Sequence, residues 1–185
     1  LSHATYIAIV LGSDSSPRTI KNPFSSEERI SIILDSLTEV DPSLRNRVKF
    51  IPVQDSMYSD SAWVTNVEQG ITDIATLLNI SEKNSIGIVC ANKDESTYYL
   101  NYFKGYNQIQ CDIATADRVS GKAISATKIR ELLFEGYLDV LKSICPKAVI
   151  NFLNSFTLTE TFKSLKDEYD QAVQYDNQYE NVPYG

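Results

Sequence analysis

The chain has 185 residues, 43% hydrophobic and 22% charged, which suits one globular domain with a small appendage and excludes wholesale disorder. With 17 Lys and Arg against 24 Asp and Glu, the net charge of −7 argues against a broad nucleic-acid or anionic-membrane surface. No apolar run approaches the ~18 residues of a membrane span, and the opening "LSHATYIAIVLGSD" carries neither a basic leader nor a small-residue cleavage site, so no secretory signal is expected.

In chain order, "TYIAIVLG" (5–12) is a short apolar run ending in glycine, as a buried parallel strand would be. The polar loop "SDSSPRTIKNPF" follows, and then "SSEERISIILDSL" opens a helix with a Ser25/Glu28 capping box and sets Ile30, Ile33, Leu34 and Leu37 at helical spacing. "VKFIPV" (48–53) and "SIGIVC" (85–90) are two more strands. Between them "SAWVTNVEQGITDIATLL" carries Val64, Val67, Ile71, Ile74 and Leu78 on one stripe, and a fourth strand is expected at "IQCDIA" (109–114). Strands alternating with helices imply right-handed βαβ units and a Rossmann-like, doubly wound parallel sheet, an α/β fold that binds ligands beyond the carboxyl ends of its strands.

A helix is expected over 125–135 with Gly136 as its stop, and Pro146 suits the first turn of another helix through about Leu153. Thr157 and Glu160 form a second capping-box pattern, for a C-terminal helix bearing Leu158, Phe162, Leu165 and Tyr169. The expected organisation is a domain over 1–154, a C-terminal helix over 155–173 and a linker over 174–185, where "QYDNQYENVPYG" loses periodicity. That tyrosine-rich tail is compatible with docking on its own domain, with a partner chain in a homo-oligomer, or with a loose linker. Cys90, Cys111 and Cys145 are odd in number and widely spaced, which argues against a disulfide framework or zinc site and for a reduced, cytoplasmic compartment.

The stretch "ISATKIRELLFEG" (124–136) places Ser125, Thr127, Lys128 and Arg130 where a helix begins. Cations sit poorly against the positive end of a helix macrodipole unless an anion is expected there. At 100° per residue Ile129, Leu132 and Leu133 face the core, while Thr127 and Arg130 share the other side and Ser125 takes the N-cap. Hydroxyls, free N–H groups and a guanidinium then converge on one anion, a phosphate chain above all; a Ser-capped helix with a solvated Arg has the same spacing. Gly12 and Ser13 end the first strand, where backbone can approach a ligand. Arg18, Lys21 and Arg29 are cations placed to bind phosphate if their loop folds over the site. Trp63 lies at the edge of its helix's apolar stripe, as a half-buried core residue would. Lys93 and Asp94 follow a strand end, Asp94 being a candidate for a ligand or magnesium contact, while Tyr98, Tyr99 and Leu100 suit packing. No protein metal-ligand cluster is read.

These blocks carry a resemblance. "ISATKIR" resembles the ISxTxxR motif of nucleotidyltransferases that adenylate small phosphates, "GSDSSPRTIKNPFSSEERI" resembles their Gly-Ser loop with KNPF and a helix carrying ER, and "YSDSAWVTNV" and "NKDESTYYLNYF" resemble the Tyr-Asn-Asp...Trp-Val and KDxSSYYL blocks. Over roughly residues 1–184 the chain resembles the nicotinamide mononucleotide (NMN) adenylyltransferase half of bifunctional NMN adenylyltransferase/Nudix hydrolases, its tail resembling the linker into the Nudix domain.

The resemblance implies attack by the NMN 5′-phosphate on the α-phosphorus of ATP, giving NAD and pyrophosphate, with magnesium on the phosphates. Ser125, Thr127 and Arg130 would be catalytic and hold ATP with Arg29 and Gly12. Trp63, Ser13, Arg29 and Asp94 would hold NMN, Trp63 stacking on the nicotinamide ring. Family members begin with a strand and an HxGH motif; this sequence has His3 in "LSHAT" and begins, by the resemblance, inside the first helix, and position 59 is Ser where the family has Asn. The alternatives are a catalytically degenerate nucleotide-sensing domain and another small-phosphate adenylyltransferase, such as one acting on pantetheine phosphate. The partners implied are small nucleotides and a Nudix domain, with no nucleic acid and no membrane.

Overall fold

A computed structural model of the chain describes residues 4–55, 59–90, 101–110 and 125–179. They fall into two compact units, one drawn from 1–16 and 43–116, the other from 17–42 and 117–185.

In the first unit β1 (Ile7–Leu11) pairs parallel with β2 (Val48–Pro52), from Ile7 opposite Val48 to Leu11 opposite Pro52. The pairing outlasts both strands, because Val53 N–H donates to Leu11 O at 2.9 Å and Asp14 N–H to Val53 O at 3.0 Å. β3 (Gly87–Cys90) and β4 (Asn107–Gln110) form a second parallel pair. The parallel α/β character expected from the sequence holds, although among the described residues the strands form two ladders of two. Two details differ. β1 is half-exposed, Leu11 being 6% accessible but Val10 38%, and β4 begins at Asn107, two residues before its expected start; residues 111–114 lie outside the described residues.

α3 (Asp60–Leu77) covers β2 with the stripe the sequence marks: Val64 and Val67 are buried with Ile51, Val53 and Phe103, flanked by Trp63, Ile71 and Ile74. The helix comes very close at Gly70, where an added Cβ would lie 2.3 Å from Ile51 Cγ2, so glycine is required there by space. Ser59, the position that departs from the family pattern, caps α3 by accepting from Ala62 N–H at 3.2 Å. The short α2 (Leu44–Arg47) leads directly into β2.

The second unit is helical. α1 (Ser26–Val40) has both halves of its capping box: Glu28 N–H donates to Ser25 Oγ at 3.2 Å, and Ser25 N–H to Glu28 Oε2 at 2.9 Å. α4 (Ala126–Phe134) ends at Gly136, whose φ of +83° and the bonds Gly136 N–H to Leu133 O (3.2 Å) and Tyr137 N–H to Leu132 O (2.8 Å) make a Schellman stop. A helix that the periodicity passes over follows at once, α5 (Leu138–Ile144), too short at 7 residues to show a pattern. α6 (Lys147–Phe156) buries Ile150, Leu153 and Phe156, with Pro146 at the N-cap and not in the first turn.

α7 (Glu160–Tyr179) corrects two expectations. Its cap is Thr159, whose Oγ1 accepts from Phe162 N–H at 3.1 Å, while Thr157 still belongs to the end of α6. Leu158 is therefore outside the helix and 80% exposed. The helix also continues to Tyr179, through residues whose loss of apolar period suggested a linker. Among the described residues Leu133, Phe134, Leu141 and Leu153 are the largest fully buried side chains, each contributing roughly 1.5–3 kcal/mol. Phe134 is stacked with Phe162 and Tyr169, at 5.7 and 5.2 Å between centroids, which fixes α7 on α4.

Candidate functional site

In the first unit Gly12 and Ser13 stand where β1 ends, beside Asp55 just past β2. Gly12 leaves β1 and Ser13 takes a φ of +56°, a left-handed conformation unusual for a residue with a Cβ. Asp55, which the sequence reading overlooked, holds it there: Ser13 N–H donates to Asp55 Oδ1 at 3.0 Å, and the Ser13 hydroxyl donates to Oδ2. The pair is 42 residues apart in sequence, so no local pattern announces it. Trp63 is half-buried, edge-on to Phe103 at 6.2 Å between centroids, as its place on the stripe predicts. An open depression of about 450 Å³ lies beside β2 and α3, lined by Asp14, Gln54, Asn66 and Gln69 among others, but Gly12, Ser13 and Trp63 do not line it. Lys93, Asp94, Tyr98, Tyr99, Leu100 and His3 lie outside the described residues.

In the second unit the start of α4 has the expected form. Ser125 is the N-cap, its Oγ accepting from Lys128 N–H at 3.2 Å. Thr127 and Arg130 share a face, with Arg130 Nη2 donating to Thr127 Oγ1 at 3.3 Å. Ser125 and Thr127 are exposed and Arg130 half-buried. Lys128 is drawn off this face by Glu131, 3.2 Å away, and the hydrogen bond to that carboxylate holds its pKa above the ordinary lysine value. The first turn thus presents hydroxyls, backbone donors and one guanidinium, an arrangement suited to an anion.

The loop cations differ in their commitments. Arg18 is bidentate to Glu28, at 2.7 and 3.0 Å, donates to Pro23 O at 3.0 Å and lies over the Phe156 ring, so it braces the start of α1 and is not poised for a ligand. Lys21 is exposed. Arg29, on α1, donates from Nη2 to the buried Ser26 hydroxyl at 3.1 Å, and its Nε is shut off from solvent.

A protein called nicotinamide/nicotinic acid mononucleotide adenylyltransferase from Acinetobacter baylyi is 32% identical over 169 residues, 91% of this chain and 81% of that one. The chain belongs to the nicotinamide mononucleotide adenylyltransferase family. Nicotinamide-nucleotide adenylyltransferases of Sulfurisphaera tokodaii and Pyrococcus furiosus are 26% and 24% identical, each across about nine-tenths of this chain. No protein-family model matches. Among solved structures, a bifunctional NMN adenylyltransferase/ADP ribose pyrophosphatase from Francisella tularensis superposes with a TM-score of 0.79 at 25% identity, covering 99% of this chain and 50% of that one. A Francisella tularensis protein of the same description, complexed with AMP and a manganese ion, matches with a TM-score of 0.76 at 24% identity. The chain therefore spans about half the length of these bifunctional proteins and most of the length of the three adenylyltransferases.

Proposed function

We propose that the chain transfers AMP from ATP to NMN, forming NAD and pyrophosphate. The observation that carries this reading is the likeness to the Acinetobacter adenylyltransferase across 81% of that protein. The capped α4 start, with Thr127 and Arg130 side by side, supports it. In the reaction an oxygen of the NMN 5′-phosphate forms a bond to the α-phosphorus of ATP while the bond from that phosphorus to the bridging oxygen of the β-phosphate breaks, and pyrophosphate leaves. Little covalent help is needed, so alignment and charge neutralisation are the protein's part.

On this reading Arg130, Thr127 and Ser125 grip the ATP phosphates, with Arg29 and Gly12 assisting. Trp63, Ser13, Arg29 and Asp94 hold NMN, and the half-buried Trp63 has an indole face suited to a cationic nicotinamide ring. Among the described residues no three His, Cys, Asp or Glu side chains gather as a metal cage. Magnesium brought with ATP would offset the phosphate charge, with Asp94 as a candidate contact for it. The proposal includes a cytoplasmic setting, consistent with a free thiol at Cys145. No helix among the described residues is long and apolar enough to cross a membrane. A second, pyrophosphatase-type domain joined by a linker after α7 also belongs to the proposal, by analogy with the Francisella proteins.

The test is NAD formation from NMN and ATP by the intact protein and by Arg130→Ala. A loss of about 10²–10³-fold in kcat/KM is expected from removing one phosphate-directed donor. No NAD formation by the wild type, or an Arg130→Ala variant as active as its parent, would defeat the reading.

A further inference from the structure

The Asp55 carboxylate has a task that the roles above leave unassigned. Ser13 occupies a left-handed conformation that disfavours a residue with a Cβ. Both Asp55 oxygens are committed to keeping it there, one to its backbone N–H and one to its hydroxyl. A single carboxylate thus fixes the backbone and the side-chain rotamer of the same residue. Its own anchorage comes from the extended ladder, since Val53, two residues before it, donates to Leu11 O and accepts from Asp14 N–H. Asp55 is exposed and absent from the apolar core, so packing does not account for this arrangement.

We propose that Asp55 is a positioning residue of the nucleotide site, setting the Gly12–Ser13 turn at the carboxyl ends of β1 and β2 in its binding shape. The inference rests on the reading that Gly12 and Ser13 touch nucleotide. It adds a polarity. With the Ser13 proton given to Asp55, Ser13 Oγ offers a ligand only lone pairs. It then suits a donor, the ribose hydroxyls or carboxamide of NMN, and a phosphate is disfavoured both by those lone pairs and by the adjacent carboxylate.

The experiment uses the intact protein, with KM for NMN and for ATP, kcat and thermal unfolding measured for Asp55→Ala, Asp55→Asn, Ser13→Ala and the double variant Asp55→Ala/Ser13→Ala. Asp55→Ala should raise KM for NMN about tenfold and KM for ATP by less, through the shared Gly12–Ser13 turn, with kcat changed less than about threefold. Its melting temperature should stay within a few degrees, as for an exposed substitution. Asp55→Asn keeps a carbonyl to accept from Ser13 N–H, but its amide donates to Ser13 Oγ and frees the hydroxyl proton, so its NMN KM should rise, though less than in Asp55→Ala. Adding Asp55→Ala to Ser13→Ala should cost less than it does in the wild type, since the two act through one contact. An unchanged NMN KM in Asp55→Ala, an Asp55→Asn variant as impaired as Asp55→Ala, or fully multiplicative effects would overturn the inference while leaving the adenylyl-transfer reading intact. A wild type that makes no NAD overturns that reading, and this inference with it.

Discussion

Arg18 and Arg130 are guanidiniums near helix starts, but their surroundings separate them. Arg18 closes a bidentate pair on Glu28, and the same Glu28 Oε2 accepts from Ser25 N–H, so one carboxylate caps α1 and orders the preceding loop. Arg18→Ala should therefore cost about 1 kcal/mol in urea unfolding and Glu28→Ala about 2, because only the latter also loses the cap. KM for ATP should move less than about twofold in Arg18→Ala; a rise of tenfold or more would place Arg18 in the site after all. Gly12 offers a complementary probe. A Cβ there would lie 3.6 Å from Asp55 Oδ1, an ordinary contact, so Gly12→Ala should fold normally. If nucleotide approaches that backbone, the variant should nonetheless bind ATP about tenfold more weakly in calorimetry. Wild-type affinity in a folded Gly12→Ala protein would remove Gly12 from the site.

Elements were legible where one local pattern had one reading. The Ser25/Glu28 box is followed by a long apolar stripe, and α1 begins where that pattern puts it. Thr157/Glu160 has the same spacing, but Thr157 is still bonded into the end of α6 through its N–H to Leu153 O, and Thr159 takes the cap instead. Two hydroxyl residues two positions apart cannot be ranked without knowing where the previous helix stops. The glycines divide similarly: Gly136 was readable as a helix stop, whereas the crowding at Gly70 depends on Ile51 in a strand far away in sequence. Gly136→Ala, with nothing within 4 Å of its Cβ but a φ of +83°, should cost about 1 kcal/mol through the backbone alone. Gly70→Ala must displace Ile51 and should cost more, about 2–3 kcal/mol, as an overpacked core does. Urea midpoints of the two variants measure the order, and a reversal would contradict the close α3–β2 approach.

At the scale of the molecule, periodicity revealed the parallel α/β class but not the grouping of the chain, because the second unit joins α1 to residues beyond 116 and no composition change marks a discontinuous unit. The same limit hid Asp55, whose partner is set by which strand ends meet. Charge at this scale yields a pH prediction. Burial pushes the Cys145 thiol above its ordinary 9.0, and burial, then the Glu135 and Glu131 carboxylates, push the Tyr169 phenol above 10.0, with Lys128 opposing weakly. The Glu131 hydrogen bond raises Lys128 above 10.5, but the pair is largely solvent-exposed and adds little. A group with a raised folded pKa gives stability that is complete below its unfolded value and lost as pH rises through the folded one, because the unfolded chain releases the proton first. Stability should thus begin to fall above about pH 9 through Cys145 and more steeply above about pH 10 through Tyr169. Tyr169→Phe keeps the ring stacked on Phe134 and removes the phenol, so it should flatten the upper part of that limb, and Cys145→Ala the lower. Urea midpoints taken from pH 8 to 11 test this. An alkaline limb equally steep in wild type and Tyr169→Phe would mean that the contact of Tyr169 with Glu135, 3.4 Å between phenol and carboxylate, does not govern how the helical unit responds to base.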